Sequence, residues 1–482
     1  MAKSSGSRIA RQALISGMVA LAATPVLADD LREALVMAYT TNPTLQAARA
    51  QQRAVDEGVP IARSAGLPSL SGTATYSELV DPQFDLPTNS ERNLGATVNL
   101  GMPIYAGGGI RNSVNAAKTR VAAGQADLRA VESGVFSQVV ATYMDVILAE
   151  AVVKLNRANV QRLDVNLQAT RDRFEIGDLT RTDVAQSASR LALAQGQTRS
   201  AEANLIAARE RYIQVVGKAP QDLATPPVLP GLPGNADEAV AVALDSNPDL
   251  IAARQRSKAA GFDTAATNAK RLPQVSVFAS TGYNDALGSR LPAGSVQSTT
   301  DTTVGVRATL PLYQGGLPSA QKRQAQAREG AVLEQEIGIE RQVIASVRAA
   351  YAQWQAAQSL TVSSQTAVDA AELSLEGVRA ENTVGNRTIL DILNAENELL
   401  NAQVQLVTAK RNAYVAGFNL LAAMGKAESR DLGLDGGTLY DPEVNARRAR
   451  NSLWDWNDNP KPKPVSTRTV DSQAQDGSVT GQ

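Results

Sequence analysis

The chain has 482 residues, with 47 Lys and Arg against 48 Asp and Glu, and it contains no cysteine and no histidine. The lack of these two residue types excludes thiol nucleophiles, disulfides, Cys/His zinc sites and histidine-based catalytic triads. A net charge of −1 provides no excess of positive charge for nucleic-acid binding. We therefore expect no catalytic residue, no metal site, no cofactor and no nucleic-acid partner.

Residues 1–28 have the pattern of a secretory signal peptide. Lys3, Arg8 and Arg11 precede an apolar run over residues 13–23, and Ala28 ends a small-x-small cleavage pattern. A membrane anchor is the alternative, but the run is far shorter than the about 20 residues that span a bilayer. No cysteine follows, so we expect an unlipidated protein. No second apolar run is expected to reach that length, which leaves strands as the elements that can span a membrane.

The chain consists of two copies of one unit, over residues 29–225 and 237–426, joined by a proline-rich linker at 226–236. Each copy opens on a predicted helix, over residues 31–65 and 238–271, with an Asn-Pro breaker near its start. A Leu-x-Ala-Ala-Arg motif recurs in these helices 205 positions apart. Such self-similarity indicates internal duplication.

Long helical hairpins are predicted in both copies. Over residues 109–174, apolar and small residues recur every three then four positions, and the pattern returns over 343–378. This is the spacing of a coiled-coil seam, and at ~1.5 Å per residue it predicts rods on the order of 100 Å long. Second helices follow over 182–216 and 389–424.

The C-terminal part of the chain loses this regularity. Residues 427–456 are predicted to form an irregular segment after the second copy. Residues 457–482 are rich in Ser, Thr, Gln and Asp, and we expect them to be disordered.

Two pairs of strands are predicted, over residues 70–76 and 94–104 and over 275–283 and 304–312. Apolar and polar residues alternate in each segment, which is the signature of outer-membrane barrel strands with one face toward lipid. The Pro-, Gly- and Asp-containing segments between the paired strands are predicted to be exposed loops. A soluble four-stranded sheet covered by helices is the alternative.

Both strand pairs end in a similar motif. The motifs are Pro103-Ile104-Tyr105-Ala106-Gly107-Gly108 and Pro311-Leu312-Tyr313-Gln314-Gly315-Gly316. We expect Pro103 and Pro311 to stop the strands, because proline cannot donate to a ladder. The paired glycines then permit a sharp turn into the long helix.

Four strands cannot enclose a lumen, so a membrane-spanning form of this chain requires several copies. An open sheet in lipid leaves unpaired backbone N–H and C=O groups, which cost several kcal/mol each. A closed barrel of this kind has an even number of strands, about eight or more, and two, three or four copies of the chain provide them.

The order of these elements resembles the TolC family of outer-membrane channel-tunnels. The most specific stretch is 384–395, with a weaker first copy at 176–184. The segment Leu439-Tyr440-Asp441-Pro442, with Trp454 and Trp456, is similar to the family's C-terminal region. The resemblance implies a mixed α/β membrane protein that forms a homotrimer. Its twelve-stranded transmembrane β-barrel, four strands per chain, is continuous with a long α-helical coiled-coil barrel in the periplasm.

The family resemblance also implies function and partners. It implies an exit duct in the outer membrane, surrounded by lipid, that docks to a periplasmic adaptor and to an inner-membrane ABC or proton-driven transporter. A soluble periplasmic coiled-coil scaffold or adaptor is the alternative, and an enzyme a third. These residues do not separate type I protein secretion from small-molecule efflux, although the missing lipidation cysteine favours the secretion branch.

By the same resemblance, a gate is expected at the helix tips. Asp391 would face the threefold axis, where three carboxylates narrow the lumen and select cations. The family often has a second aspartate one turn later, but this chain has Asn394 at that position, which weakens the predicted ring of acidic side chains. Arg387 would bond to Thr182 and Asp183 of the facing hairpin. Each charge has a simpler alternative role at a helix start, where aspartate favours the helix dipole.

Adaptor docking is expected at the two turns of the helical hairpins. Ile176-Gly177-Asp178 and Val384-Gly385-Asn386 occupy the positions that meet adaptor hairpins in the family. The glycines also permit the turns themselves, and the two roles are compatible.

Overall fold

The computed structural model describes residues 30–80, 92–287, 296–434 and 439–479. The predicted signal peptide lies outside the described residues. Within them, the strands are β1 (Ser69–Glu78), β2 (Arg92–Ala106), β3 (Gln274–Leu287) and β4 (Ser298–Thr309). The helices are α1 (Leu31–Thr41), α2 (Pro43–Asp56), α3 (Gly58–Ser64), α4 (Gly109–Glu175), α5 (Arg181–Val216), α6 (Ala236–Ser246), α7 (Pro248–Ala269), α8 (Leu317–Thr383), α9 (Ile389–Ala423) and α10 (Pro442–Asn451).

The four strands form one antiparallel sheet in the order β1-β2-β3-β4. The two copies therefore meet where β2 pairs with β3, with Leu100 opposite Ala279. Large apolar side chains along the strands are exposed, among them Leu70, Val304 and Val306. Within the described residues, β1 and β4 each have one edge without a pairing strand. The sheet thus has the apolar surface and the open edges that the sequence predicts.

The expectation that Pro103 stops its strand is wrong. β2 continues to Ala106, and its pairing with β3 shifts between Pro103 and Tyr105. β1 reaches only as far as Gly101 at this end, so Pro103 lies where β2 has lost that neighbour. A bulge at such an edge tolerates proline, because the missing N–H removes no ladder hydrogen bond on that side. Pro311, by contrast, lies two residues beyond the end of β4.

The predicted rods are present as α4 and α8, each an uninterrupted helix of 67 residues. Their length is roughly 100 Å. Each packs against the shorter helix that follows it, α4 on α5 and α8 on α9. The predicted seam faces inward, with Val139, Val146, Val153 and Val347 fully buried. At the far end of the first seam, Phe174 is 43% exposed because the hairpin ends there.

One stretch of α4 is more apolar than the sequence analysis anticipated. An 18-residue window in this helix has a mean hydropathy of 1.5 and is long and apolar enough to cross a membrane by length and composition. However, α4 also packs against α1, α2, α5, α7 and α9. Phe136, Val140 and Tyr143 on α4 are fully buried against these neighbours, in a cluster with Tyr212 and Phe418. Packing within the chain therefore accounts for the 39% of the window that is buried.

The helix predicted at the start of each copy is interrupted at its Asn-Pro pair. Asn42 separates α1 from α2, and Asn247 separates α6 from α7, and each side chain caps the following helix. The same side chains reach the end of a helical hairpin. Nδ2 of Asn42 donates to the Val215 carbonyl at 2.8 Å, and Nδ2 of Asn247 donates to the Ala423 carbonyl at 2.9 Å. Duplication has thus preserved one tertiary contact in both halves.

The C-terminal tail binds to the first copy, which contradicts the expectation of disorder beyond residue 457. Nη2 of Arg157 donates to the Gly477 carbonyl at 3.0 Å, and Nη1 of Arg209 donates to the Asp476 carbonyl at 3.0 Å. Each arginine is also paired with a glutamate across α4 and α5. The tail through residue 479 has no helix or strand. The two arginines, already held in place by their glutamate partners, instead satisfy the carbonyls of Asp476 and Gly477.

The turn from strand to long helix uses two glycines in each copy. Gly107 and Gly108 have φ of +58° and +79°, and Gly315 and Gly316 have φ of +58° and +83°. L-residues avoid this left-handed region at a cost of about 1–2 kcal/mol. The two turns differ in their surroundings. A Cβ on Gly107 would lie 2.7 Å from the Leu272 Cβ and 2.8 Å from the carbonyl oxygen of Ala269, the last residue of α7, whereas one on Gly315 meets nothing within 4 Å.

We expect Gly107→Ala to destabilise the protein more than Gly315→Ala does. Both substitutions carry the same backbone strain, but only the first forces α7 away, which typically adds about 1–3 kcal/mol. Thermal unfolding of the two variants in one detergent measures the difference. Equal midpoints would contradict the close approach of this turn to α7.

Candidate functional site at the hairpin tips

The two hairpin tips are tight turns built around a glycine. Gly177 has φ of +85° and Gly385 has φ of +81°. The residue after each glycine donates its N–H back to the last turn of the long helix: Asp178 to the Arg173 carbonyl at 2.9 Å, and Asn386 to the Glu381 carbonyl at 3.0 Å. This pattern closes the helix C-terminus and reverses the chain within a few residues.

Each returning helix starts with a capping box. In α9, Thr388 Oγ1 accepts the Asp391 N–H, while the Thr388 N–H donates to Asp391 Oδ2 at 2.9 Å. Thr180 and Asp183 repeat this arrangement in α5. The hydrogen bonds from Thr388 lower the pKa of Asp391 below its ordinary value of 3.8, and those from Thr180 do the same for Asp183. Both carboxylates are therefore ionised and are used in helix capping.

The latch predicted between Arg387 and Thr182 or Asp183 does not form within one chain. Nε of Arg387 donates to Glu381 Oε2 at 2.7 Å, across its own turn. This hydrogen bond raises the pKa of Arg387 and keeps the guanidinium charged. The local partner prevails because the turn already brings Glu381 beside Arg387, whereas Asp183 is held by its own cap.

The outermost side chains of both tips are apolar and exposed. Ile176 is 80% exposed and Val384 is 71% exposed. Neither side chain belongs to any buried apolar cluster of the described residues. The tips therefore present an apolar surface next to charged side chains, including Asp178, which pairs with Arg173.

The two hairpins are held together one to two turns above the tips. Leu393 of α9 is 2% exposed and packs among leucines of α4 and α5. Next to it, Nη2 of Arg190 on α5 donates to Asn394 Oδ1 at 3.0 Å. Asn394, which we expected beside the acidic ring, is therefore bound to the neighbouring hairpin.

A buried carboxylate that the sequence analysis missed completes this junction. Glu396 of α9 is 1% exposed. It accepts hydrogen bonds from Asn166 Nδ2 of α4 at 2.9 and 3.0 Å and from Arg379 Nη2 of α8 at 2.8 Å. One side chain thus links three helices. Charge-assisted hydrogen bonds of this kind are about twice as strong as neutral ones.

A signal for Glu396 was present in the sequence. Ile392, Leu393, Leu399 and Leu400 follow the helical spacing of a buried stripe, and Glu396 occupies the same stripe. A charge in that position must be paired, because an unpaired buried carboxylate is strongly destabilising. The stripe identifies the residue, but not which helices supply the partners.

We expect Glu396→Gln to loosen α9 from α4. Both partners are donors, so a glutamine amide places its own N–H2 against one of them, and the lost charge-assisted bonds amount to about 1.5–3 kcal/mol. Hydrogen exchange of the α9 amides and the thermal midpoint measure the effect. Glu398→Gln, at an exposed position of the same helix, is the matched control, and equal exchange in the two variants would contradict a structural role for Glu396.

Comparison with known proteins gives a consistent family relationship. Residues 34–218 and 239–426 match the family described as outer membrane efflux protein. The chain is 33% identical over 444 residues to outer membrane efflux protein BepC of Brucella suis biovar 1, covering 92% of this chain and 95% of that protein. It is 27% identical over 417 residues to outer membrane protein TolC of Escherichia coli K12, covering 84% of each.

The fold agrees with this relationship. The crystal structure of the outer membrane protein VceC from Vibrio cholerae matches with a TM-score of 0.70 at 23% identity, over 82% of this chain and 96% of that one. Like that structure, the chain has the channel-tunnel fold. The chain belongs to the outer membrane efflux protein family.

Proposed function

We propose that three copies of this chain assemble into a closed conduit through the outer membrane and the periplasm. As a member of its family, the chain is the outer-membrane exit duct of a tripartite export system. The proposal concerns its assembly: a twelve-stranded barrel above and a ring of paired helices below. Members of the family are channels rather than enzymes, and we propose that this chain likewise moves cargo passively.

One observation carries the assembly proposal: the sheet has lengths suited to a bilayer and two open edges. The strands contain 10, 15, 14 and 12 residues, and about 9–11 residues suffice to cross a membrane as a tilted strand. Pairing of β4 with β1 of the next copy removes both edges in a closed ring.

We also propose that residues 1–28 direct the chain across the inner membrane and that the chain carries no lipid, since it has no cysteine.

Adaptor docking is proposed at Ile176-Gly177-Asp178 and Val384-Gly385-Asn386. The exposed Ile176 and Val384 side chains supply apolar contacts at the end of each hairpin. The glycine turns keep these side chains at the tip, where a periplasmic adaptor, with an ABC or proton-driven transporter behind it, meets the conduit. Cargo is either secreted protein or small molecules, according to that transporter.

Ile176→Ser combined with Val384→Ser should abolish export without preventing assembly. Both side chains are exposed in the chain, so their loss removes docking contacts and leaves the buried core unchanged. Export is measured in the native host, as dye accumulation in cells and as secreted protein in the medium, together with trimers on gels. Val444→Ser, an exposed position on α10, is the control. Normal export by the double variant would exclude docking at the tips.

The gate proposal concerns Asp391 at the start of α9, with Arg387, Thr182, Asp183 and Asn394 around it. In a trimer, the three Asp391 carboxylates form the acidic ring. The Glu396 and Leu393 junction holds α9 against the first hairpin, so opening requires α9 to move away from this junction. The two hairpins of a chain thus separate at the tip before the lumen widens.

In planar bilayers we expect the purified protein to conduct ions, with a current that divalent cations reduce from the tip side. Because its hydrogen bonds with Thr388 lower the pKa of Asp391 below the ordinary value of 3.8, the ring stays ionised as the pH falls, and the inhibition should disappear only at a pH below that ordinary value. Asp391→Asn should remove the inhibition at every pH, whereas Asp178→Asn should not. Absence of conductance would overturn the duct, and unchanged inhibition in Asp391→Asn would overturn the gate.

A further inference from the structure

A turn after α10 exposes three large apolar side chains together. Leu453 is 62% exposed, Trp454 is 72% exposed and Trp456 is 83% exposed. The remaining tryptophan, Trp354, packs edge-on against Tyr351 with ring centroids 5.8 Å apart. Neighbouring exposed indoles are a large apolar surface, and such patches mark a site of interaction. We call residues 452–457 the tryptophan turn.

Hydrogen bonds within the segment fix this turn. The Asn457 N–H donates to the Trp454 carbonyl at 3.2 Å, and its Nδ2 donates to Ser452 Oγ at 3.2 Å. Beyond the turn, Nη1 of Arg448 donates to Asn459 Oδ1 at 2.5 Å. The chain therefore reverses direction at the tryptophans and returns beside α10.

α10 runs toward the strands. The segment that contains α10 contacts successive residues of α2 and α3. At its start, Tyr440 stacks on Arg49, and Asn445 Nδ2 donates to Asp56 Oδ2. Further along, Ala446 packs on Val59, and the Arg450 carbonyl accepts from Arg63 Nη1. Arg63 precedes the first residue of β1 by six positions, a distance of at most roughly 20 Å. The tryptophan turn begins two residues after Arg450 and so lies near the end of the sheet where β1 starts.

Tyrosines mark the two ends of the apolar band of the sheet. Tyr105 lies opposite Val275 at the helix end of β2, and Tyr283 lies eight residues further along β3. At ~3.4 Å per residue and a tilt of 35–45°, their levels differ by roughly 20 Å, close to the apolar height of an outer-membrane barrel, about 25 Å. Tyr313, 89% exposed, lies just beyond the helix end of β4. The tryptophan turn therefore lies near the periplasmic boundary of the bilayer.

The charges around the turn suit a phospholipid surface. Residues 447–463 contain five basic and two acidic side chains. Arg447 and Arg448 pair with Asp441 and Glu57, and Lys461 and Lys463 lie on the returning segment. Tryptophans concentrate at the headgroup level of membranes, and basic clusters attract anionic lipids there. The chain beyond the turn then leads away from the sheet, since Asp476 and Gly477 bind far down α5 and α4.

We propose that the tryptophan turn is a membrane-interface anchor that inserts Trp454 and Trp456 among phospholipid headgroups on the periplasmic side. The anchor is separate from the barrel strands, and it fixes the height of the helical barrel relative to the bilayer. The proposal rests on the placement of the strands in the outer membrane, and its test distinguishes the two.

The test uses full-length variants that each retain one tryptophan, with the others replaced by phenylalanine, reconstituted into phosphatidylethanolamine and phosphatidylglycerol vesicles. Some of these lipids carry bromine either near the headgroup or near the chain end. We expect Trp454 and Trp456 to lose about half of their fluorescence with bromine near the headgroup and less with bromine near the chain end. Trp354 should be unaffected by either lipid.

Val304→Trp, in a background without other tryptophans, is the control for the strands, because Val304 is 71% exposed on β4. Quenching at this position with none at Trp454 or Trp456 would overturn the anchor and leave the membrane placement intact. No quenching at any of the three would overturn the placement itself. Emission from Trp454 or Trp456 that is blue-shifted but not quenched would show that a neighbouring copy covers the turn, and would also overturn the anchor.

Discussion

The structure depends on the requirement that every backbone N–H and C=O of a sheet within a bilayer finds a partner. Among the residues that the structure describes, β1 pairs only with β2, and β4 only with β3, so the sheet of each chain has two open edges. Closing these edges between copies removes a cost of several kcal/mol per group. In the proposed trimer, closure of the ring would position the helices, because each long helix follows its strand through a turn of two left-handed glycines.

The two halves share a plan but differ in one buried side chain near the tips. The capping boxes and the Asn-Pro contacts recur in both. Glu396 has no equivalent, since the position 208 residues earlier is Ala188, which packs in the apolar cluster of the first hairpin. The second hairpin therefore carries the buried carboxylate and the first carries the surface that receives it.

The C-terminal region connects the sheet end of the molecule to its helical part. α10 leads up along α2 and α3, the tryptophan turn reverses the chain, and the tail descends along α4 and α5. Arg157 and Arg209, each fixed by a glutamate of the opposite helix, bind the tail through its carbonyl oxygens. Because those donors contact backbone atoms, the composition of the tail did not reveal that it would be ordered.

The sequence by itself determined what local rules control: the length of the rods, the alternation of the strands, the duplication and the glycine turns. Each of these depends on periodicity or on hydrogen bonds within a few residues. Only the tertiary structure decided the partners of Glu396, the strand that continues past Pro103, and the docking of the tail. These depend on which elements lie side by side, and the same side chain can be satisfied by several partners until packing brings one of them within reach.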